Sequence, residues 1–320
     1  MKKSALITGI SGQDGSYLAE YLLEKKYDVF GTAKPGSDKS RIAQISDKIT
    51  IVEADMSDEH SLVNAMRRAQ PDEVYNFAAF SFPQSSWQEI IPMSDTTALG
   101  VSRILEAIRK TSPQTRYYQA STSELFGKAI TNIQNENTPF RPRNPYGVAK
   151  LYGYWITVNY RERYGIHASN GIAFNHESPR RGMEYVTRKI THGVARIHRG
   201  ISKEIVLGNL DARRDWGFAG DYVKAMWLML QKKNPDDYVI ATGETHSVKD
   251  VVETAFEAAG IKNWEKYVKI DRSLVRPPEE HTLCGDSSKA KAGLGWKPEV
   301  SFRKLITMMV ESDIQLLGKK

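Results

Sequence analysis

The chain has 320 residues, 40% hydrophobic and 26% charged, a globular composition that excludes a disordered or fibrous protein. Its single cysteine, Cys284, excludes an internal disulfide framework and points to a reducing, cytoplasmic setting, and no apolar run approaches the ~20 residues needed to span a bilayer. The formal net charge of +7 suits anionic ligands or is simply a lysine-rich solvated surface; the basic residues are scattered, so neither nucleic acid nor a membrane is an expected partner.

In chain order, Lys2-Lys3 before Ala5-Leu6-Ile7 resembles the start of a signal peptide, but Gly9 and Gln13-Asp14 cut the apolar run short. Ala5–Thr8 is therefore read as a strand, followed by a glycine-rich turn and a helix with Leu18, Tyr21 and Leu22 on one face. Strands are predicted at 27–30, 49–52, 73–77 and 116–120, with helices over 61–69 and 101–109. This alternation predicts an α/β fold, a Rossmann-type doubly wound parallel sheet covered on both faces. Beyond about residue 172 the pattern loosens, although Tyr238–Ala241 reads as a strand returning to the sheet. Single cores seldom grow past about 250–300 residues. The expected division is 1–172 plus about 212–243 for a cofactor-binding domain. About 173–211 and 244–320 are left for a smaller, interleaved C-terminal substrate domain, in which 285–296 would lie over the sheet edge.

Gly9, Gly12 and Gly15 sit between the first strand and first helix, where glycines let backbone N–H groups approach a pyrophosphate. A glycine pattern alone is a weak signal; its place inside a strand–helix–strand unit makes dinucleotide binding the better reading. The second strand ends in Gly31-Thr32-Ala33-Lys34, without the acid that bonds an NAD ribose. Lys34, with Arg41 as a second candidate, could instead meet a 2′-phosphate, which favours NADP; the bland alternative is a loop lysine.

Asn144 suits an N-cap and Pro145 the first helical position, so a helix is predicted to start there, with Val148, Leu151, Tyr152 and Trp155 as its apolar positions. Tyr146 and Lys150 then share one face. A tyrosine titrates near pH 10. An adjacent ammonium and an oxidised nicotinamide would lower that value, making the pair a base for oxidising an alcohol. Ser121-Thr122-Ser123-Glu124 follows the fifth strand and adds a hydroxyl and a carboxylate; alone, that glutamate is as readily a helix-capping or solvated acid.

The set GxxGxxG, STSE and YxxxK resembles the extended short-chain dehydrogenase/reductase family. The longer stretches QASTSELFG (119–127), NPYGVAK (144–150), WITVNYRE (155–162), FNHESPRRG (174–182) and Arg214–Gly217 resemble the GDP-mannose 4,6-dehydratases over essentially the whole chain. The resemblance implies that Thr122, Tyr146 and Lys150 oxidise the sugar at C4. Glu124 would take the C5 proton and help expel the 6-hydroxyl as water. Hydride would return to C6, leaving a 4-keto-6-deoxy sugar and regenerated NADP. Besides the three glycines, Gln13, Asp14 and Lys34, implied cofactor contacts are Asp55, Met56, Phe77, Ala78, Ala79, Ser81, Tyr146, Lys150, His176 and Arg181. Implied contacts to the nucleotide-sugar, GDP-mannose, are Ser86, Asn175, Lys189, Arg214, Arg276 and Glu279, with a homodimer or homotetramer as the assembly. The seven histidines show no metal-ligand spacing, and His192 and His198 read as helix-surface residues.

Three places depart from the family. Ala33-Lys34-Pro35 replaces an arginine pair that serves the 2′-phosphate and tetramer assembly, Phe80 stands where glutamine is usual, and Arg276-Pro277-Pro278-Glu279 has an extra proline. These could tune the site to another GDP-linked sugar such as a heptose. A related epimerase or 4-keto reductase would lack the acid at Glu124, and a non-catalytic cofactor-binding regulator would not need the full set of four.

Overall fold

The computed structural model describes residues 2–80, 87–274 and 283–318. The chain runs through β1 (Ser4–Thr8), α1 (Gln13–Glu24), β2 (Asp28–Ala33), β3 (Ile49–Glu53), α2 (Glu59–Ala69) and β4 (Glu73–Asn76). It continues through α3 (Ile90–Ser94), α4 (Gly100–Thr111), β5 (Arg116–Thr122), α5 (Pro145–Tyr164) and β6 (Ala168–Ala173). Next come β7 (Asn175–Glu177), α6 (Val186–His198), β8 (Ile205–Leu207), β9 (Arg213–Arg214), β10 (Trp216–Phe218), α7 (Ala219–Gln231) and β11 (Tyr238–Ile240). The last elements are β12 (His246–Ser247), α8 (Val248–Ala258), β13 (Val268–Ile270), α9 (Ser288–Leu294) and α10 (Phe302–Gly318).

Seven strands form one parallel sheet in the order β11-β6-β5-β4-β1-β2-β3. Strand order reverses between β1 and β4, which opens a crevice at their carboxyl ends. Alternate residues serve opposite faces: Leu6, Val74 and Tyr117 pack with α2 and α4, whereas Ile7, Tyr75 and Tyr118 pack with α1 and α7. Both faces are buried, so short β-branched and aromatic runs mark β1 to β5, although Glu73, Asn76, Gln119, Ser169 and Asn170 are also buried within the strands. Tyr238–Ile240 does return to the sheet, beside β6.

A second core of Ile190, Val194, Val251, Val252, Phe256, Ile306 and Val310 joins α6, α8 and α10. The 285–296 segment packs Ala290 and Trp296 into the α1–α7 side of the main sheet. The helix over α5 is where the sequence placed it, but its expected inward face is not. Val148, Tyr152 and Trp155 are exposed, Leu151 is partly buried against the core, and the buried positions are Tyr146, Gly147, Ala149, Lys150, Gly153, Tyr154, Thr157 and Val158. The helix approaches α4 closely at Gly153, where an added Cβ would lie 3.1 Å from Val101, so its small and polar side faces in. No helix among the described residues is long and apolar enough to cross a membrane.

Candidate active site

The crevice begins at the tip of β1. Thr8 Oγ1 donates to Asn76 Oδ1 at 2.6 Å and accepts the backbone N–H groups of Phe77 and Ala78, each at 3.1 Å. That ties the ends of β1 and β4 so tightly that a Cβ on Gly9, where φ is +67°, would stand 3.0 Å from the Ala78 nitrogen. Gly12 caps α1 and donates its N–H to the Gly9 carbonyl at 3.0 Å, while a Cβ on Gly15 would lie 2.5 Å from that carbonyl. The result is a side-chain-free cradle at a helix N-terminus, and it fits the pyrophosphate of a dinucleotide.

Gln13 and Asp14 use their side chains to lock this loop to β7. Gln13 Nε2 donates to the His176 carbonyl at 3.0 Å, and Ser178 Oγ donates to Gln13 Oε1 at 2.8 Å. His176 places Nδ1 2.7 Å from the Phe174 carbonyl and Nε2 2.9 Å from Asp14 Oδ2, and its ring stacks on Tyr222. Burial alone would raise the Asp14 carboxyl, but His176, Gln13 and Arg181 hold it below the usual range. Burial would likewise lower His176, yet Asp14 keeps it above its ordinary value, so the two form an ion pair. The Arg181 guanidinium lies 3.1 Å from Glu177 and over the Tyr185 ring, with its charge felt at Asp14 and Tyr146.

At the far end of the crevice Lys34 Nζ lies 3.1 Å from Asp55 Oδ2. Asp55 also accepts from the Ser57 N–H and hydroxyl, and its carboxyl is held down against its partial burial by those bonds and by Lys34. Arg41, the second candidate for a 2′-phosphate, donates to the Arg180 carbonyl at 2.8 Å. The Met56 side chain is buried in the α2–α4 core, and its carbonyl accepts from Arg103. Phe77, Ala78 and Ala79 are half-buried beyond β4, and Phe80 packs against Met93, Ala98 and Ala149.

The reaction centre forms where β5 meets α5. Thr122 and Glu124 are half-buried while Ser121, Ser123 and Leu125 turn inward, so the strand tip presents its hydroxyl and carboxylate to one side. Thr122 Oγ1 accepts the Glu124 N–H at 3.2 Å, and Thr122 lies close enough to the Tyr146 phenol to favour its ionised form. Asn144 caps α5 as expected, accepting the Gly147 N–H at 2.7 Å. Its amide donates to Glu124 Oε2 at 2.9 Å. Lys150 Nζ lies 5.8 Å from the Tyr146 ring centroid and donates to the Ala120 carbonyl at 2.9 Å.

The electrostatics differ from the expectation of a phenol made acidic by its lysine neighbour. Burial, with Tyr185 and the Glu124 charge, pushes the Tyr146 phenol well above its ordinary value, outweighing the Thr122 bond and Arg181. Burial also pushes Lys150 down to about 8, and its hydrogen bond goes to a carbonyl rather than to the phenol. The protein surroundings alone therefore keep the phenol neutral.

The positions expected to hold the nucleotide-sugar are spread over separate elements. Asn175 opens β7, in register with Trp216 of β10. Lys189 is exposed on α6, where its charge reaches Asp271. Arg214 pairs with His246 across β9 and β12, and donates to the Arg213 carbonyl. Ser81, Ser86, Arg276 and Glu279 lie outside the described residues. His198 is exposed as read, but His192 is half-buried with Nδ1 3.6 Å from the buried Asp313.

The structure adds residues that sequence reasoning passed over: Ser178, Tyr185 and Tyr222 around the His176 lock, and Asn144 as a partner of Glu124. Glu177 and Arg181 are four apart, a spacing that flags an ion pair on a helix, though here it closes a loop. Arg181 and Tyr185 are likewise four apart, whereas the Asn144–Glu124 and Ser178–Gln13 contacts join residues 20 and 165 apart and leave no local signal.

A family model described as GDP-mannose 4,6 dehydratase matches residues 6–309. The protein named GDP-mannose 4,6 dehydratase 1 from Arabidopsis thaliana is 49% identical over 100% of this chain and 92% of its own length. Among solved structures, dTDP-glucose 4,6-dehydratase from Bacillus anthracis in complex with NAD superposes with a TM-score of 0.84 at 22% identity, over 97% of this chain and 96% of that one. RMD from Pseudomonas aeruginosa complexed with NADPH does so with a TM-score of 0.84 at 19% identity, over 98% and 100%. At those identities the likeness is one of fold.

Proposed function

This chain belongs to the GDP-mannose 4,6-dehydratase family, a group of hydro-lyases, and we propose that it converts GDP-mannose to GDP-4-keto-6-deoxymannose and water through Thr122, Glu124, Tyr146 and Lys150. One observation carries the assignment of residues: Thr122 and Glu124 share a hydrogen bond at the tip of β5, and both act electrostatically on the Tyr146 phenol at the start of α5. Oxidation alone needs a hydroxyl and a phenol. The added carboxylate supplies what elimination requires, a base for C5 and then an acid for the departing 6-hydroxyl.

Gly9, Gly12 and Gly15 fit the cofactor's pyrophosphate, and His176, Asp14 and Arg181 border it. When bound, the oxidised nicotinamide supplies the acceptor for the hydride leaving C4 and adds positive charge to that of Lys150 and Arg181, which alone do not offset the burial of the Tyr146 phenol. Tyr146 takes the 4-hydroxyl proton while Thr122 holds that oxygen. Lys150, anchored on Ala120, keeps a positive charge within 5.8 Å of the Tyr146 ring centroid. Glu124 then removes the C5 proton, made acidic by the adjacent ketone, and returns it as the 6-hydroxyl leaves; the hydride taken from C4 would then be delivered to C6 and a proton to C5, which gives the 4-keto-6-deoxy sugar.

NADP is the proposed cofactor, supported by Lys34 and by the absence of an acid in Gly31–Lys34 at the end of β2; a 2′-phosphate would compete with Asp55 for Lys34. Asn175, Lys189 and Arg214 are proposed for the nucleotide-sugar, with residues 1–172 and 212–243 serving the cofactor and 173–211 and 244–320 the sugar nucleotide. A homo-oligomer is supported by the exposed apolar row Val148, Tyr152 and Trp155 on α5. Incubation with GDP-mannose and NADP tests the activity: the product should weigh one water less than the substrate. A product of unchanged mass would favour an epimerase.

A further inference from the structure

Glu124 stands on a single helical turn after β5, and Asn144 stands 20 residues later at the start of α5. The two segments are zipped by their backbones. The Arg141 N–H donates to the Leu125 carbonyl at 2.8 Å, and the Lys128 N–H donates to the Arg141 carbonyl at 2.9 Å. At the end of that zip, Asn144 makes two bonds with different atoms: Oδ1 accepts the Gly147 N–H at 2.7 Å and Nδ2 donates to Glu124 Oε2 at 2.9 Å. The orientation of the amide follows from chemistry. A backbone N–H can only donate, so it must meet the oxygen, and a carboxylate can only accept, so it must meet the NH2 group.

Capping does not explain the choice of residue, because Ser, Asp and Asn cap helices about equally well. Of these, an ionised aspartate has no donor to offer Glu124, and a serine has a single oxygen for both tasks. Asparagine caps with one atom and donates with another. A glutamate side chain has several rotatable bonds, so a carboxylate left unheld would lose much of its effective concentration at a substrate carbon. We propose that Asn144 is a positioning residue for water loss: it fixes the Glu124 carboxylate against the sugar while capping the helix that carries Tyr146 and Lys150. This inference rests on the role given to Glu124 in the proposed function.

The test separates oxidation from elimination in the full chain supplied with NADP and GDP-mannose. Reduced-nicotinamide absorbance reports oxidation at C4; loss of water and exchange of the C5 hydrogen with deuterated solvent report elimination. Asn144→Ser keeps the cap and should reduce cofactor about as fast as the parent, yet lose water and exchange C5 about tenfold or more slowly. Asn144→Asp keeps the cap but sets two carboxylates side by side, so the acid limb of the pH profile for water loss should move to higher pH. A merely structural cap predicts neither result. If Asn144→Ser slows both steps equally, or if both variants behave as the parent, the inference is overturned. Glu124→Gln is measured alongside. Normal water loss in that variant overturns the role of Glu124 and the inference with it, whereas a block there beside a normal Asn144→Ser overturns the inference alone.

Discussion

At the proposed reaction end of the crevice, Glu124 is bonded to both Thr122 and Asn144, Asn144 caps the helix that carries Tyr146, and the cradle is locked through Gln13, Asp14, His176 and Ser178. At the far end, Lys34 has half of its side chain exposed and meets a single carboxylate, Asp55, while Lys189 is exposed on a separate helix. Groups that must hold a geometry to a fraction of an ångström are cross-braced. Groups proposed only to attract a phosphate stand on flexible, solvated stems, where charge acts at longer range and position matters less. Substitutions should therefore cost far more at the braced end.

The largest effect is expected for Tyr146→Phe, which removes the proposed proton acceptor for the 4-hydroxyl and should lower kcat by ~10³-fold without unfolding the chain. A loss of less than tenfold would remove Tyr146 from the chemistry. Glu124→Gln should slow water loss by ~10²-fold or more while leaving cofactor binding and C4 oxidation in place, as read by fluorescence titration and single-turnover absorbance.

Between these and the exposed end stands the lock. Asp14→Asn should cost about 1.5–3 kcal/mol of stability, as expected for a charged hydrogen bond, measured by denaturant unfolding. Asp14 titrates below its usual value, so its contribution is present above about pH 4 and lost as pH falls through the depressed value. His176 titrates above its own, so its contribution is complete below about pH 6.5 and lost as pH rises through the raised value. The gap between parent and Asp14→Asn should be widest between those limits and narrow on either side. A gap independent of pH would mean that the pair is not charged. The smallest effect is expected for Lys34→Ala, which at a half-exposed position should weaken NADP by no more than about fivefold and leave NAD unchanged. Equal NADP and NAD affinity in the parent would refute the role proposed for Lys34.

The same contrast governs what the sequence could reveal. Six of the seven sheet strands are legible because a sheet buried on both faces favours apolar runs; β6 is not, because its Ala-Ser-Asn-Gly start has no such run. The start of α5 is legible because Asn144-Pro145 is a local capping signal. The Thr122–Glu124 and Tyr146–Lys150 clusters are legible because each is contiguous or one turn apart. The face of α5 is not, since Gly153 and Lys150 turn inward and Val148 and Trp155 outward, against their polarity. The lock is also hidden: Asp14 and His176 are 162 residues apart, and only folding brings β7 across the mouth of the glycine loop. Nor does any spacing announce that an N-cap also holds a carboxylate from another loop.

The proposed function requires Thr122, Tyr146 and Glu124 to act on one hexose ring within a single binding event. GDP-mannose carrying deuterium at C4, turned over with unlabelled NADP in ordinary water, tests it directly by mass spectrometry and NMR of the product. The account predicts a 4-keto-6-deoxy sugar one water lighter that carries the C4 deuterium at C6. Deuterium retained at C4, washed into solvent, or accumulating in released cofactor would contradict it.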